Sequence, residues 1–175
     1  MRKRAPDLAR LRGIVSPSPT VRLLDVGGGG GAATERFASG CGLVVVLEPD
    51  PRKVALGRRR RPGFRFEEGH GEAIPFPDGV FDWVVSIVAF HHMEDQARVL
   101  REMHRVLSPS GRIGLLELPP SKAPGPLARR LAGGAHAGKL EFLTPEGLKA
   151  GLEAGGFHDV TWAPGVGAYL VTGAK

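Results

Sequence analysis

Five consecutive glycines, Gly27 to Gly31, separate the apolar run Leu23-Leu24-Asp25-Val26 from the helix-favouring Ala32-Ala33-Thr34-Glu35. Glycine permits φ > 0 and lets a backbone approach a ligand where any Cβ would collide. A strand, a glycine turn and a helix start together present free N–H groups and a positive dipole end to a polar, often anionic group. Polyglycine is also what a flexible linker looks like. Linkers, however, are not normally entered from Val-Arg-Leu-Leu-Asp-Val and left through Ala-Ala-Thr-Glu-Arg-Phe-Ala. The stretch reads as a nucleotide or nucleoside site.

A chain of 175 residues suits one domain with a substantial core. Hydrophobic residues at 42% and charged ones at 24% place it among ordinary globular proteins. Cys41 is the only cysteine, so no intrachain disulfide forms and no cysteine-based metal site is expected. A reducing, cytoplasmic setting fits. The basic start Met1-Arg-Lys-Arg4 is not followed by an apolar signal core, and no run approaches a membrane span, so no membrane association is expected. The net charge of +6 is most concentrated at Arg58 to Arg61. That patch reads as the solvated end of a helix, where cations complement the dipole, rather than as a nucleic-acid surface.

Taken in order, Pro6 to Val15 reads as a short helix with Leu8, Leu11 and Val15 on one side. Ser16-Pro17-Ser18-Pro19 breaks it. Val21 to Val26 is the first strand, and Ala32 to Ala38 opens the first long helix. Leu43 to Leu47 is a β-branched run of the kind found in a parallel strand covered on both faces, and it ends in Glu48. Pro51 to Arg60 is helical, with Pro51 in the first turn. Phe64 to Glu67 is a weaker strand, followed by turn-rich residues through Gly79. Phe81 to Phe90 is the next buried strand. Glu94 to Leu107 is a helix with Val99, Leu100, Met103, Val106 and Leu107 inward. Ser108-Pro109-Ser110-Gly111 ends it, and Arg112 to Leu118 is a fifth strand. Thr144 caps a helix through Ala154, and strands near Phe157 to Trp162 and Ala168 to Thr172 close the chain.

Five alternations of strand and helix argue for an open, mostly parallel α/β sheet with helices on both faces. Ligands in such sheets sit beyond the carboxyl ends of the strands, at the switch point. The glycine loop, Glu48, His70 to Ala73 and Ser86 to His92 each follow or end one of the first four strands, so they are expected to meet along one edge. Glu48 lies about twenty residues beyond the first glycine, where an acidic residue can hold both hydroxyls of a ribose. The glycine spacing also satisfies the relaxed dinucleotide fingerprint. It does not by itself separate dinucleotide from adenosyl-cofactor enzymes.

The segments around it resemble the class I S-adenosylmethionine-dependent methyltransferases, in particular the type 11 small-molecule group. Leu24 to Gly31 is similar to that family's Asp-x-Gly-x-Gly-x-Gly motif, and Val46 to Asp50 to its acidic second-strand end. Gly71-Glu72-Ala73-Ile74-Pro75-Phe76-Pro77-Asp78-Gly79-Val80-Phe81-Asp82 is similar to its E-x-L-P-F-P-D-x-x-F-D segment. Ser86 to His92 and Leu100 to Gly111 match the segments that follow. The resemblance implies a Rossmann-like seven-stranded sheet and S-adenosyl-L-methionine as cofactor. It divides the chain into a short N-terminal helix (1–20), a core (21–118), a short substrate-side insert (119–143) and a C-terminal helix and strand pair (144–175).

The same resemblance implies roles. Asp25, Gly27, Gly28, Gly29 and Gly31 would line the methionine moiety. Glu48 would bind the ribose hydroxyls, with Pro49 and Val54 flanking the adenine. His70 stands where the family usually has an aspartate, and a neutral imidazole accepts at one nitrogen only. Gly71 and Glu72 would replace that contact with backbone groups, and Ser86 falls within the cofactor set. Gly28 and Gly30 stand where the family often has Cys and Thr, which predicts a looser loop with a larger ordering cost. His91 and His92 are the candidate general bases, because imidazole titrates near neutrality, with His91 preferred.

The expected reaction is transfer of a methyl group to a small-molecule O, N, S or C. The short insert predicts either a second copy of the chain completing the pocket or an acceptor large enough to bring its own cover. A binding module without turnover is the alternative from another class, and a nicotinamide-dependent oxidoreductase is a third reading. The P-F-P-D-x-x-F-D segment speaks against the last. Nucleic-acid methylation is disfavoured because the fourth strand lacks an Asn/Asp-Pro-Pro-Tyr signature.

Overall fold

The computed structural model describes residues 4–123 and 141–175. Most of the short substrate-side insert (124–140) lies outside the described residues, as do Met1 to Lys3. The elements are α1 (Ala5–Val15), β1 (Arg22–Val26), α2 (Thr34–Ala38), β2 (Leu43–Glu48), α3 (Pro51–Arg60), β3 (Arg65–Glu68), β4 (Phe81–Ile87), α4 (Gln96–Val106), β5 (Leu107–Glu117), α5 (Pro145–Ala154), β6 (His158–Pro164) and β7 (Tyr169–Ala174). A single 3₁₀ turn, Phe90–His92, follows β4. The strands form one seven-stranded sheet in the order β3-β2-β1-β4-β5-β7-β6. The first five strands run parallel, and β7 is antiparallel to both its neighbours. The mostly parallel Rossmann-like sheet read from the sequence is present.

The helices cover both faces because the central strands are apolar on both. Leu24, Val26, Val45 and Val84 pack with Val99, Leu100 and Met103 of α4 and with Leu148 and Leu152 of α5. Leu23, Val44 and Val85 point the other way, onto Leu8, Leu11 and Val15 of α1 and Phe37 of α2. Caps set several helix starts: Asp50 accepts from Arg52 N–H, Asp95 from Arg98 N–H, and Thr144 from Gly147 N–H. Among the described residues, no helix is long and apolar enough to cross a membrane.

Three boundaries differ from expectation, each for a local reason. The helix after the glycine loop is five residues long, not a long one. Gly40 turns the chain at φ +108°, and a Cβ on Gly42 would collide with the Pro19 carbonyl oxygen. The Ser-Pro-Ser-Gly turn sits inside β5 as a bulge: Phe81 pairs Leu107 while Trp83 pairs Arg112. The fourth strand stops at Ile87 rather than Phe90, because Val88 takes φ +54° while its N–H still donates to Leu116 O at 2.7 Å. A β-branched residue in that region is strained.

Candidate functional site

The site lies at the carboxyl end of β1 and β2, where the sheet order turns from β1-β2 to β1-β4. Gly27 N–H donates to Leu47 O at 2.8 Å, extending the β1–β2 ladder into the loop. Gly27, Gly29 and Gly31 have φ of +77°, +60° and +77°. Gly28 is demanded by space instead: its Cβ would lie 2.6 Å from Asp25 Oδ2 and 2.8 Å from Val46. Gly30 is constrained by neither, since its φ is not positive and its Cβ would meet nothing closer than 3.7 Å.

These contacts separate the five glycines by experiment. Gly28→Ala is expected to destabilise by about 1–3 kcal/mol, the usual cost of overpacking. Gly30→Ala is expected to stabilise by about 0.4–1 kcal/mol, by narrowing the unfolded ensemble. Urea unfolding of the two variants checks both signs.

Asp25 is fully buried and accepts from Thr34 Oγ1 at 2.6 Å, while its Oδ1 has no hydrogen-bond partner. Burial, helped by the nearby Glu48 charge and opposed by the Thr34 bond, pushes its carboxyl up to about 7. The native state therefore holds a proton there that the unfolded chain, titrating near 3.9, has already released. Stability from this group is complete at acid pH, declines as pH rises from about 4 to about 7, and is flat above. Asp25→Asn is expected to remove that decline. Calorimetric melting of both proteins from pH 4 to 8, taken as a difference, isolates it from the opposite-signed contribution of His104, whose titration burial lowers.

Glu48 ends β2 with its side chain nearly buried. Its Oε2 accepts from Gly29 N–H at 2.9 Å, and its Oε1 from Lys53 Nζ at 3.2 Å and Asp50 N–H at 3.3 Å. The carboxylate thus closes onto the glycine loop. On the outer side of that loop Arg61 Nη1 donates to Gly30 O at 2.7 Å and its Nε to Glu35 Oε2 at 3.1 Å. Arg58 donates to Phe66 O at 2.7 Å. The tetra-arginine is therefore not wholly a solvated helix end, because two of its members are bonded to neighbouring backbone.

The other expected residues converge on the same edge, with different partners. Pro49 and His70 are exposed, and His70 follows Gly69, whose N–H donates to Glu48 O at 3.3 Å. Gly71 is wedged between Val26, Val99 and Met93. Glu72 turns its Oε1 to the Glu94 N–H at 3.0 Å, so its carboxylate anchors the segment before α4. Val54 is buried against Val46 and Phe66. Ser86 is fully buried, its Oγ without a partner. Ala89 comes so near Gly27 that a glycine Cβ would lie 2.7 Å from its own.

Beyond Ala89, His91 and His92 part ways. His91 is buried, with Nδ1 2.7 Å from Glu117 Oε2 and its ring stacked on Phe142 at 4.3 Å. A carboxylate only accepts, so Nδ1 carries the proton and Nε2 is left as the basic nitrogen. His92 is exposed, its ring 4.2 Å from that of His91. Glu117 also accepts from Phe90 N–H at 2.8 Å and Leu118 N–H at 3.2 Å. Glu117 was not anticipated. The available signal was an acid ending a buried strand, as Glu48 ends β2. Among the described residues, no group of three or more His, Cys, Asp or Glu side chains is placed to hold a metal ion.

An adenosyl cofactor fits these residues. The glycine cradle leaves no room for a Cβ at Gly27 or Gly28, Asp25 keeps an unpartnered oxygen, and Glu48 sets an acceptor carboxylate directly against the loop.

The methyltransferase domain family matches residues 24–115. A demethylmenaquinone methyltransferase of Thermus thermophilus is 32% identical, over 89% of this chain and 80% of that protein. A ubiquinone/menaquinone biosynthesis C-methyltransferase of Hahella chejuensis is 32% identical over 62% of this chain; the match spans 46% of that longer protein. A solved S-adenosylmethionine-dependent methyltransferase from Mesorhizobium loti shares the fold with a TM-score of 0.77 at 22% identity, covering 99% of this chain and 98% of that one.

Proposed function

This chain belongs to the class I S-adenosylmethionine-dependent methyltransferases of the type 11 group, and from that premise we propose that it methylates a small molecule bearing an ionisable ring hydroxyl, of the quinol class. The observation that carries this reading is the buried His91–Glu117 pair at 2.7 Å. The relatives named for quinone methylation supply the acceptor class.

When bound, the cofactor supplies an activated methyl on a sulfonium. The chain's own residues supply the rest. The Gly27 to Gly31 loop and the Asp25 carboxyl would hold its methionine end, and Glu48 would take the ribose hydroxyls. His91 accepts the hydroxyl proton of the acceptor at Nε2, which makes the ring oxygen, and the carbon beside it, nucleophilic. The imidazolium then sits against the Glu117 carboxylate, which holds its tautomer and its charge. Phe142 stacked on His91 keeps that ring from turning and excludes water from one side. A second copy of the chain, or the acceptor's own bulk, completes the cover.

Titration calorimetry with S-adenosylmethionine and its demethylated product, followed by transfer of labelled methyl to a panel of quinols, tests the reading. Label on a quinol, with the labelled atom identified by NMR, is the expected result. Cofactor binding without label on any quinol, protein or RNA would favour the binding-module reading instead.

A further inference from the structure

We propose that Arg61 is a positioning residue for the cofactor loop, replacing by a tether the side chains that a run of five glycines lacks. The proposal rests on the adenosyl-cofactor reading of the loop. Glycine loses more conformational freedom on ordering than any other residue, so a free pentaglycine would impose a large entropic cost on any ligand it must close around. In the structure three points of the loop are already fixed. Gly27 is held by Leu47 O, Gly29 by Glu48, and Gly30 by Arg61.

The Arg61 contact is the one that sequence motifs do not anticipate. Its guanidinium donates to Gly30 O at 2.7 Å and bridges to Glu35 Oε2, in the first turn of α2, at 3.0 and 3.1 Å. Its stem covers Gly31: a Cβ there would lie 3.2 Å from Arg61 Cδ and 2.9 Å from Phe66. One planar cation thus joins the loop to the helix that follows, while only 15% of its side chain is exposed. Arginine does this with several donors in a fixed fork; lysine has a single ammonium at one point. The tether pre-organises the loop, and pre-organisation is realised as affinity.

Arg61→Met keeps the stem over Gly31 and removes the fork. By titration calorimetry it is expected to weaken S-adenosylhomocysteine binding about tenfold, with the loss in the entropy of binding. Amides 28–31 of the free protein are expected to exchange hydrogen faster. Arg61→Lys is expected to recover only part of the loss. The discriminating variant is Gly30→Ala, which stiffens the loop while its Cβ meets nothing closer than 3.7 Å. Placed in the Arg61→Met protein, it is expected to restore affinity about threefold.

Unchanged affinity in Arg61→Met overturns the proposal. So does a loss that Gly30→Ala does not relieve, which would make Arg61 a source of charge rather than of order. If Arg61→Met does not fold, Glu35→Gln, which loosens the same bridge from α2, carries the identical comparison. Failure of the unaltered protein to bind S-adenosylhomocysteine at all would instead refute the cofactor reading.

Discussion

Glu117→Gln is expected to lower turnover by about 10²-fold or more while leaving cofactor affinity within a few-fold. The carboxylate stands outside the glycine cradle, and its partners are His91 Nδ1, Phe90 N–H and Leu118 N–H. A glutamine keeps the shape but offers one acceptor oxygen where two served three donors. The imidazole then loses the group that fixes its tautomer, and the charge it acquires is no longer opposed. His91→Ala is expected to cost a similar factor. Because the two act as one unit, the double variant should be scarcely worse than either single change. Stopped assays with saturating cofactor measure all three. Full turnover in Glu117→Gln, or losses that multiply in the double variant, would remove the pair from the chemistry.

Arg105→Ala is expected to destabilise the protein by about 3 kcal/mol, which for a chain of this size is a fall in Tm of about 10 °C. The guanidinium reaches five acceptor atoms: Ile74 O, Phe76 O, Asp78 Oδ1 and both oxygens of Glu102, all between 2.8 and 3.0 Å. Glu102 in turn accepts from Ile74 N–H. These charge-assisted bonds push Arg105 further above its already high titration range and hold Glu102 below the usual carboxylate range. Together the two residues clamp the Pro-Phe-Pro-Asp loop, which follows Gly71 and Glu72 on the proposed cofactor edge. Arg105→Lys is expected to recover little, since one ammonium cannot span these acceptors. Thermal melts and cofactor titrations on the same samples check both effects. A loss within about 1 kcal/mol would mean that packing of Phe76 edge-on to Phe81, rather than the clamp, holds the loop.

The Glu102–Arg105 clamp also shows what a motif conceals. The Leu100 to Gly111 segment resembles its family counterpart in order and spacing, yet its sequence does not say that its arginine serves residues about thirty positions earlier. The two sides of the proposed chemistry differ in the same way. Gly27, Gly29 and Glu48 follow from local rules: positive φ needs glycine, and an acid ending the second strand faces the loop. Glu117 and Arg61 owe their roles to pairings across the sheet, and a charge run such as Arg58 to Arg61 reads as solvated until its neighbours are known. Val54 shows the converse. It lies beside functional residues in the chain, but its helix turns it inward onto Val46 and Phe66.

The sequence by itself determined the alternation of strand and helix, the parallel sheet, the glycine loop and the acid that meets it. Hydrophobic period and backbone permission are properties of neighbouring residues, so one chain read in order contains them. Tertiary structure alone decided which polar groups share a partner. His91 was joined to Glu117, Gly30 to Arg61 and Ile74 to Arg105 by the approach of segments 26 to 31 residues apart. Those unions depend on strand order and on the few tenths of an ångström that separate a hydrogen bond from a mere approach, and no local pattern encodes either.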